Sequence, residues 1–143
     1  MFDLHGRVAV VTGASSGLGL QMAKGFAKQG ADLVIMARRI ERLEKIADDI
    51  RAMGVRCLPL QCDVTDTDAV NKAAEEAFKF YGQIDILVNN AGASKNAGVL
   101  DMTDEDWKFT LDADLTSVFK VTRAFAKYMV EKKYGRIINI ASI

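Results

Sequence analysis

The chain has 143 residues, half of them hydrophobic, and its 19 Lys plus Arg balance 19 Asp plus Glu, so the formal net charge is zero. This length and composition are typical of one domain that can bury a sizeable core, and the balanced charge offers no electrostatic footprint for nucleic acid or an anionic membrane. No apolar run approaches the roughly 20 residues that span a bilayer, and the first residues lack the features of a signal peptide. We therefore expect a small-molecule ligand and a cytoplasmic location.

Short β-branched runs alternate with helical periods along the chain. Near-continuous apolar runs of strand length are typical of strands covered on both faces of a parallel sheet. The five runs are RVAVV, ADLVIMA, VRCLPLQC, IDILVNN and RIINIA. Amphipathic helices fill the gaps between them, so the alternation predicts an α/β fold with a doubly wound parallel sheet.

Apolar spacing and glycines predict the extent of the first two helices. Apolar residues recur at helical spacing from Leu18, and this pattern stops at Gly30. A second series begins at Ile40, continues to Met53 and stops at Gly54. Glycine is suited to the left-handed position that follows a helix, so we expect both helices to end just before these glycines.

Hydroxyl residues followed by acids predict the starts of the later helices. Thr65 and Thr103 each precede acidic residues, which suit the positive end of a helix dipole, so each Thr is expected to cap a helix. The last helical run is the longest. Its predicted apolar seam is Leu111, Leu115, Val118, Phe125 and Met129.

The third apolar run contains the sequence's one proline and both of its cysteines. Pro59 cannot donate a ladder hydrogen bond, so we expect this strand at an edge of the sheet. Cys57 and Cys62 are five residues apart and would point to opposite faces of a strand, which excludes a disulfide between them. We expect two reduced, buried thiols and no metal site.

The stretch VVTGASSGLGL places three glycines between the first strand and the first helix. Gly13 would permit a tight turn, Gly17 would let a pyrophosphate approach backbone amides, and Gly19 would let the helix pack closely on the sheet. No Gly-Lys-Ser/Thr sequence follows, which disfavours a nucleoside-triphosphate loop; a mere tight connection remains the alternative. The residues of this loop predicted at a cofactor are Gly13, Ser15, Ser16, Gly17, Leu18 and Gly19.

The glycine spacing TGxxxGxG occurs together with CDV at 62–64, NNAG at 89–92 and INIAS at 138–142. These four motifs, in this order, closely resemble the N-terminal half of the short-chain dehydrogenase/reductase family. The resemblance implies a Rossmann-type domain that transfers hydride between a nicotinamide cofactor and a secondary alcohol or ketone, in a homodimer or homotetramer. A flavin-binding or receiver-type domain conflicts with the glycine spacing and with NNAG.

The resemblance also assigns cofactor contacts outside the glycine loop. An Asp-Val step accepts from the adenine amino group and donates an amide to a ring nitrogen, and the NNAG turn leaves room for ribose. The corresponding residues are Asp63, Val64, Asn90, Ala91 and Gly92, together with Ile140 of the INIAS motif. Asp63 as a helix cap, and NNAG as an ordinary Asn/Gly turn, remain the alternatives.

The end of the second apolar run predicts NADP(H) rather than NAD(H). In NAD-preferring relatives this strand ends on an acid that binds the ribose diol, whereas here Ala37 is followed by Arg38 and Arg39. No carboxylate repels a 2′-phosphate, and two guanidinium groups can clamp it with charge-assisted hydrogen bonds. Alternatively, Arg39 pairs with Glu41 or Glu44 on the following helix.

Two further residues match the family's catalytic positions. Ser142 matches the Ser that hydrogen-bonds the substrate oxygen, while Asp114 stands where the family commonly has a water-holding Asn. Asp also occurs in relatives resembling gluconate 5-dehydrogenases, which hints at a polyol or sugar-acid substrate. Tyr128 and Lys132 have the YxxxK spacing but precede the fifth strand, so we interpret them as a surface contact within a helix.

In the family, a YxxxK motif that supplies the catalytic acid follows this Ser. We therefore expect residues 1–143 to be an NADP-binding Rossmann domain, truncated before that motif, with strands one to five present and the C-terminal strands missing. Such a chain should be inactive alone, because no acid is positioned to protonate the substrate oxygen. The alternative is a non-catalytic dinucleotide-binding fragment.

Overall fold

The computed structural model describes residues 2–141, in which strands and helices alternate along the chain. The strands are β1 (Val8–Thr12), β2 (Asp32–Ala37), β3 (Cys57–Gln61), β4 (Ile86–Asn89) and β5 (Arg136–Asn139). The helices are α1 (Gly17–Lys28), α2 (Ile40–Arg51), α3 (Thr67–Tyr81), α4 (Asp104–Leu111) and α5 (Ser117–Glu131), with a π-helical segment (Asp112–Thr116) between α4 and α5. None of the helices among these residues is both long and apolar enough to cross a bilayer.

All strand pairs are parallel, and the order across the sheet is β3-β2-β1-β4-β5. The chain moves outward from β1 to β3 on one side and then returns to build β4 and β5 on the other. Ligands of doubly wound sheets bind where the strand order reverses, which is between β1 and β4 here. The predicted doubly wound α/β fold is confirmed.

Alternate residues of the strands enter two separate cores, one on each face of the sheet. One core packs α3 and α5 against a face that includes Val10 and Leu87. The other packs α1 and α2 against a face that includes Val11 and Val88. Because strand side chains alternate between faces, a strand covered on both faces must be apolar throughout, which explains the near-continuous apolar runs.

The predicted helix ends agree with the structure. Helices α1 and α2 end at Lys28 and Arg51, and the glycines that follow, Gly30 and Gly54, have φ angles of +90° and +92°. A side chain other than glycine's would be strained at these angles. Each helix therefore ends shortly before a glycine, the residue type that adopts a positive φ without strain.

One of the two predicted N-caps is confirmed and the other is wrong. The Thr103 hydroxyl accepts a hydrogen bond from the Asp106 amide, as expected for the cap of α4. Helix α3 is capped instead by Asp66, whose carboxylate accepts from two amides of the first turn. Thr65 is not the cap, because its hydroxyl donates to Asp63.

The predicted continuous seam before β5 is wrong. Phe125 and Met129 are buried, but Leu111 and Leu115 are 37% and 65% exposed. Leu111 directly precedes the π-helical segment and Leu115 lies inside it, and a π turn holds more residues than an α turn. Residues before the segment therefore rotate out of line with those after it, so a uniform helical period does not describe this stretch.

Tyr128 and Lys132 have different partners rather than each other. The Tyr128 ring stacks on Phe78 of α3, with ring centroids 4.2 Å apart. The Lys132 amino group donates to Gln83 Oε1 at 2.7 Å. The predicted contact between the two side chains is therefore replaced by packing of α5 on α3 and by a link to the segment before β4.

Strand β3 lies at one edge of the sheet and carries Pro59, as predicted. Cys57 and Cys62 are both buried free thiols, and they belong to the cores on opposite faces. Burial raises the pKa of Cys57 to about 12 and that of Cys62 to about 11. Both thiols are therefore protonated at neutral pH and have little thiolate character.

Strand β5 lies at the opposite edge, where it pairs with β4. Its four residues are exposed, and the side chains of Ile137 and Ile138 are 41% and 42% accessible. An apolar edge strand presents unpaired backbone groups as well as apolar side chains. Within residues 2–141, β5 is therefore the least covered strand of the sheet.

Candidate cofactor site

A cleft of about 450 Å³ opens at the carboxyl ends of the strands, around the reversal of strand order between β1 and β4. The turn after each of the strands β1 to β4 contributes to its lining, and the π-helical segment closes one side. Ten residues expected at the cofactor line it, namely Gly13, Ser15, Ser16, Arg38, Arg39, Asp63, Val64, Asn90, Ala91 and Gly92. The turns after β1, β2, β3 and β4, which lie far apart along the chain, thus meet at one place.

The turn between β1 and α1 has no room for side chains at two of its glycines. Gly13 has φ +65°, and a Cβ on it would lie 2.9 Å from the Ala91 Cα. A Cβ on Gly19 would lie 2.3 Å from the carbonyl oxygen of Gly13. Gly17 differs, since it has open space but a φ of +56° that favours glycine. Backbone conformation and close packing together account for the glycine pattern.

The amino-terminal end of α1 borders the cleft. Ser15 and Ser16 line the cleft directly before the helix, and the Ser16 side chain makes no capping hydrogen bond. The first turn carries no acidic residue. Its backbone amides and the positive end of the helix dipole therefore remain available to an anion.

Two guanidinium groups follow β2 and line the same cleft. Arg38 and Arg39 are both exposed, and among residues 2–141 neither forms an ion pair. The alternative pairing of Arg39 with an acid of α2 is therefore not formed. Gln61 donates to the Arg38 carbonyl oxygen at 2.9 Å, which fixes the backbone at this point. The two arginines present unneutralised positive charge to the cleft.

Asp63 begins a tight turn after β3. Its Oδ1 accepts hydrogen bonds from the Thr65 hydroxyl at 2.7 Å and the Thr65 amide at 2.9 Å. These two bonds lower the pKa of Asp63, and the positive charges of Arg38 and Lys120 lower it further against the opposing effect of burial. Asp63 is therefore ionised at neutral pH, and Asp66, not Asp63, caps the following helix.

The lowered pKa of Asp63 predicts a pH-dependent contribution to stability. Because the folded pKa lies below the usual 3.8, the contribution is present above pH 3.8 and is lost as pH falls through the folded value. The free energy of unfolding of wild type should exceed that of Asp63→Asn at pH 7, and the difference should shrink below pH 3.8. Urea unfolding from pH 7 to pH 2.5 measures this difference in unfolding free energy.

Thr65→Ala removes the hydroxyl that makes the largest contribution to the lowered pKa of Asp63. This variant should therefore show a smaller change of stability with pH than wild type. An unchanged pH profile would contradict the role of the Thr65–Asp63 hydrogen bond.

The loop after β4 is tied to the end of β1 by Thr12 and Asn90. The buried Thr12 hydroxyl accepts hydrogen bonds from the Asn90 and Ala91 amides, both at 3.0 Å, and donates to the Val88 carbonyl at 3.4 Å. The Asn90 side-chain amide donates a hydrogen bond to the Thr12 carbonyl oxygen at 3.1 Å. This exchange fixes the NNAG turn relative to the glycine turn.

Asp114 lies in the π-helical segment and fastens the same loop from the other side. Its Oδ1 accepts a hydrogen bond from the Ala93 amide at 2.8 Å, and a Cβ on Gly92 would lie 2.7 Å from that oxygen. Asp114 does not line the cleft, although its neighbours Asp112 and Ala113 do. The Asp114 carboxylate therefore holds the backbone of the loop after β4. Its suggested part in a proton relay stays a prediction.

The residues that form this cleft match a known protein family. The family model described as short chain dehydrogenase matches residues 7–143. The chain belongs to the short-chain dehydrogenase family. The predicted resemblance is confirmed, and the match extends over all the strands and helices that form the cleft.

Three relatives of the chain show how far the similarity goes. Gluconate 5-dehydrogenase of Gluconobacter oxydans is 38% identical over 143 residues, which are all of this chain and 56% of the relative. The structure of L-sorbose reductase from Gluconobacter frateurii, complexed with NADPH and L-sorbose, is 38% identical with a TM-score of 0.94 and covers 99% of this chain and 54% of that one. A 7α-hydroxysteroid dehydrogenase complexed with NADH is 30% identical, also with a TM-score of 0.94, and covers 98% and 55%.

The chain spans about half the length of the curated relatives that it matches. The predicted substrate-binding Ser142 lies outside the described residues. Ile140 donates its amide to the Asn89 carbonyl at 2.9 Å and is 40% exposed, but it does not line the cleft. Gly17, Leu18 and Gly19 also lie outside the lining, and the Leu18 side chain is 68% exposed.

Sequence reasoning missed two residues that support the cleft. Thr12 reads as one more residue of a buried strand, and nothing in its spacing signals three hydrogen bonds. Asn89 is 4% exposed, and its amide donates to Asn139 at 2.9 Å and Thr122 at 3.0 Å, which joins β4 to β5 and α5. A polar residue ending a buried strand could have signalled both, because buried polar groups need partners.

Proposed function

We propose that this chain is the cofactor-binding part of an NADP(H)-dependent oxidoreductase of the short-chain dehydrogenase type. The observation that carries the proposal is the pair Arg38 and Arg39, unpaired within residues 2–141 and lining the cleft directly after Ala37. A 2′-phosphate would meet two guanidinium groups there and no carboxylate. The NADPH complex of L-sorbose reductase supports this choice, while the NADH complex of the steroid dehydrogenase keeps NAD(H) as the alternative.

The described residues fit the parts of such a cofactor. The amides before and in the first turn of α1 would hold the pyrophosphate, and the absence of a side chain at Gly13 lets the turn of Asn90 and Ala91 pack against the glycine turn. The free Asp63 carboxylate oxygen would accept from the adenine amino group, and the turn of Asn90, Ala91 and Gly92 would border the ribose. When bound, the nicotinamide would exchange hydride with a secondary alcohol or ketone.

The substrate class and assembly are part of the same proposal. The likeness to gluconate 5-dehydrogenase and L-sorbose reductase supports a polyol or sugar acid. Leu115 and Phe119 are 65% and 60% exposed on successive turns, and this apolar surface supports a homodimer or homotetramer of the whole protein. We propose a cytoplasmic location from the two free, buried cysteines.

Removing the guanidinium groups should weaken binding of NADP+ but not of NAD+. We expect Arg38→Ala and Arg39→Ala each to raise the Kd for NADP+ by about tenfold or more, because a charge-assisted hydrogen bond contributes about 1.5–3 kcal/mol. Isothermal titration calorimetry with both cofactors measures the change. Arg42→Ala, an exposed arginine on α2, is the matched control and should change neither Kd.

Wild-type protein should bind NADP+ more tightly than NAD+. Equal affinities, or tighter NAD+, would contradict the cofactor assignment without touching the family assignment. Failure to bind either dinucleotide would contradict the whole proposal.

A second candidate function is dinucleotide binding without catalysis by this chain alone. All three tyrosines of the sequence lie away from the cleft: Tyr81 donates to the Leu33 carbonyl, Tyr128 stacks on Phe78, and Tyr134 lies beneath two arginines. None is placed to protonate a substrate oxygen. We expect the 143-residue chain to bind NADPH and to show no turnover with a panel of ketoses and keto acids. Turnover above the uncatalysed rate would refute this expectation.

A further inference from the structure

Lys120 of α5 reaches the turn that follows β3, although the two lie in distant parts of the chain. Its amino group donates a hydrogen bond to the Thr65 carbonyl oxygen at 2.6 Å, and the contact is partly buried. A lysine side chain loses much rotamer freedom when it is held in one geometry. A short bond to a backbone carbonyl therefore marks Lys120 as an ordered side chain and not a mobile surface charge.

The bond fixes the turn that carries Asp63. The Thr65 amide and hydroxyl both bind Asp63 Oδ1, and the Thr65 carbonyl binds Lys120. All the polar groups of Thr65 are thus engaged, two with the carboxylate and one with α5. The pKa of Asp63 is lowered mainly by the two Thr65 hydrogen bonds, and the positive charges of Arg38 and Lys120 add to the lowering.

Besides these bonds, the turn is held by the Asp66 amide, which donates to the Asp63 carbonyl oxygen at 3.1 Å. Asp63 is exposed, and its second carboxylate oxygen has no hydrogen-bond partner among residues 2–141. Thr65 lines the cleft with Asp63 and Val64. Lys120 itself does not line the cleft, so its influence on a ligand must pass through the turn.

We propose that Lys120 is a positioning residue for base recognition, which holds the Asp63–Thr65 turn so that the free carboxylate oxygen selects an adenine amino group. The inference rests on the proposed cofactor function. A purine with a keto group at the same position, such as hypoxanthine, would place an acceptor oxygen against the carboxylate and be repelled. A turn held in place enforces this repulsion, whereas a turn released from α5 can move away from it.

The test compares two dinucleotides that differ only in the base. The Kd values for NADP+ and for nicotinamide hypoxanthine dinucleotide phosphate are measured by calorimetry, and their ratio gives the selectivity. In wild type we expect the hypoxanthine analogue to bind at least about tenfold more weakly, since a site built around a hydrogen bond rejects an analogue that cannot form it. In Lys120→Met, which keeps the apolar stem and helix propensity, the ratio should fall to about threefold or less.

Two variants separate the proposed contact from general effects. Lys120→Arg keeps a charged donor and should retain most of the selectivity. Lys127→Met removes an exposed lysine of the same helix, whose amino group lies over the Tyr128 ring, and should leave the ratio unchanged.

Each outcome decides between the proposals. A ratio that stays at the wild-type value in Lys120→Met, even with both affinities reduced, would overturn the positioning role while the proposed function stands. An equal fall in Lys120→Met and Lys120→Arg would also overturn it, because the charged donor would then be irrelevant. If wild type binds neither NADP+ nor its analogue, the proposed function itself fails.

Discussion

Gly19→Ala should lower the free energy of unfolding by about 3 kcal/mol, at the upper end of the usual cost of overpacking. The reason is geometric, since a Cβ at this position would lie 2.3 Å from the Gly13 carbonyl oxygen and 2.5 Å from the side-chain nitrogen of Asn90. The carbonyl oxygen is backbone and cannot rotate away, so α1 must move from the glycine turn. Urea unfolding followed by circular dichroism measures the loss.

Gly25→Ala is the matched control on the same helix. Gly25 is exposed, and no atom lies within 4 Å of a Cβ built on it. Alanine is favoured over glycine inside a helix by about 0.5–1 kcal/mol, so this variant should be stabilised. The changes in unfolding free energy caused by Gly19→Ala and Gly25→Ala should therefore have opposite signs. Similar effects would show that helix propensity and not close packing decides both positions.

Thr12→Val should cost about 2–4 kcal/mol, because the isosteric side chain leaves two partly buried amides without an acceptor and each unsatisfied group costs about 1–3 kcal/mol. Those amides belong to Asn90 and Ala91, which line the cleft. The variant should accordingly lose affinity for NADP+ as well as stability. Urea unfolding and calorimetry measure the two effects.

Thr12→Ser separates the hydroxyl from the methyl group. It keeps the acceptor for both amides and should lose only about 1 kcal/mol for the buried methyl group. Its affinity for NADP+ should stay close to that of wild type. If Val and Ser cost the same, the hydroxyl does not hold the two turns together.

The fold could be predicted from the sequence because its main signals are local or geometric. Strands covered on both faces must be apolar throughout, and a proline is tolerated in a strand at the sheet edge, so Pro59 pointed to the position of β3 before any contact was known. Gly30 and Gly54 indicate from the sequence where α1 and α2 end, and both adopt a left-handed φ in the structure. These signals depend on a residue and its near neighbours only.

The supporting contacts of the site could not be predicted in the same way. Thr12, Asn89 and Lys120 act through hydrogen bonds to residues that are distant in sequence, and any of the three would be unremarkable at its position without them. The π-helical segment escaped prediction for a related reason. The sequence of α4 and α5 fits a regular helical period, and only the contact from Asp114 to the loop after β4 shows what the irregularity achieves.

The irregularity allows one stretch of helix to serve both the core and the loop. A π turn holds more residues than an α turn, so residues 112–116 form a widened turn between α4 and α5. Phe125 and Met129 keep their buried places, while the widened turn carries Asp114 to the Ala93 amide.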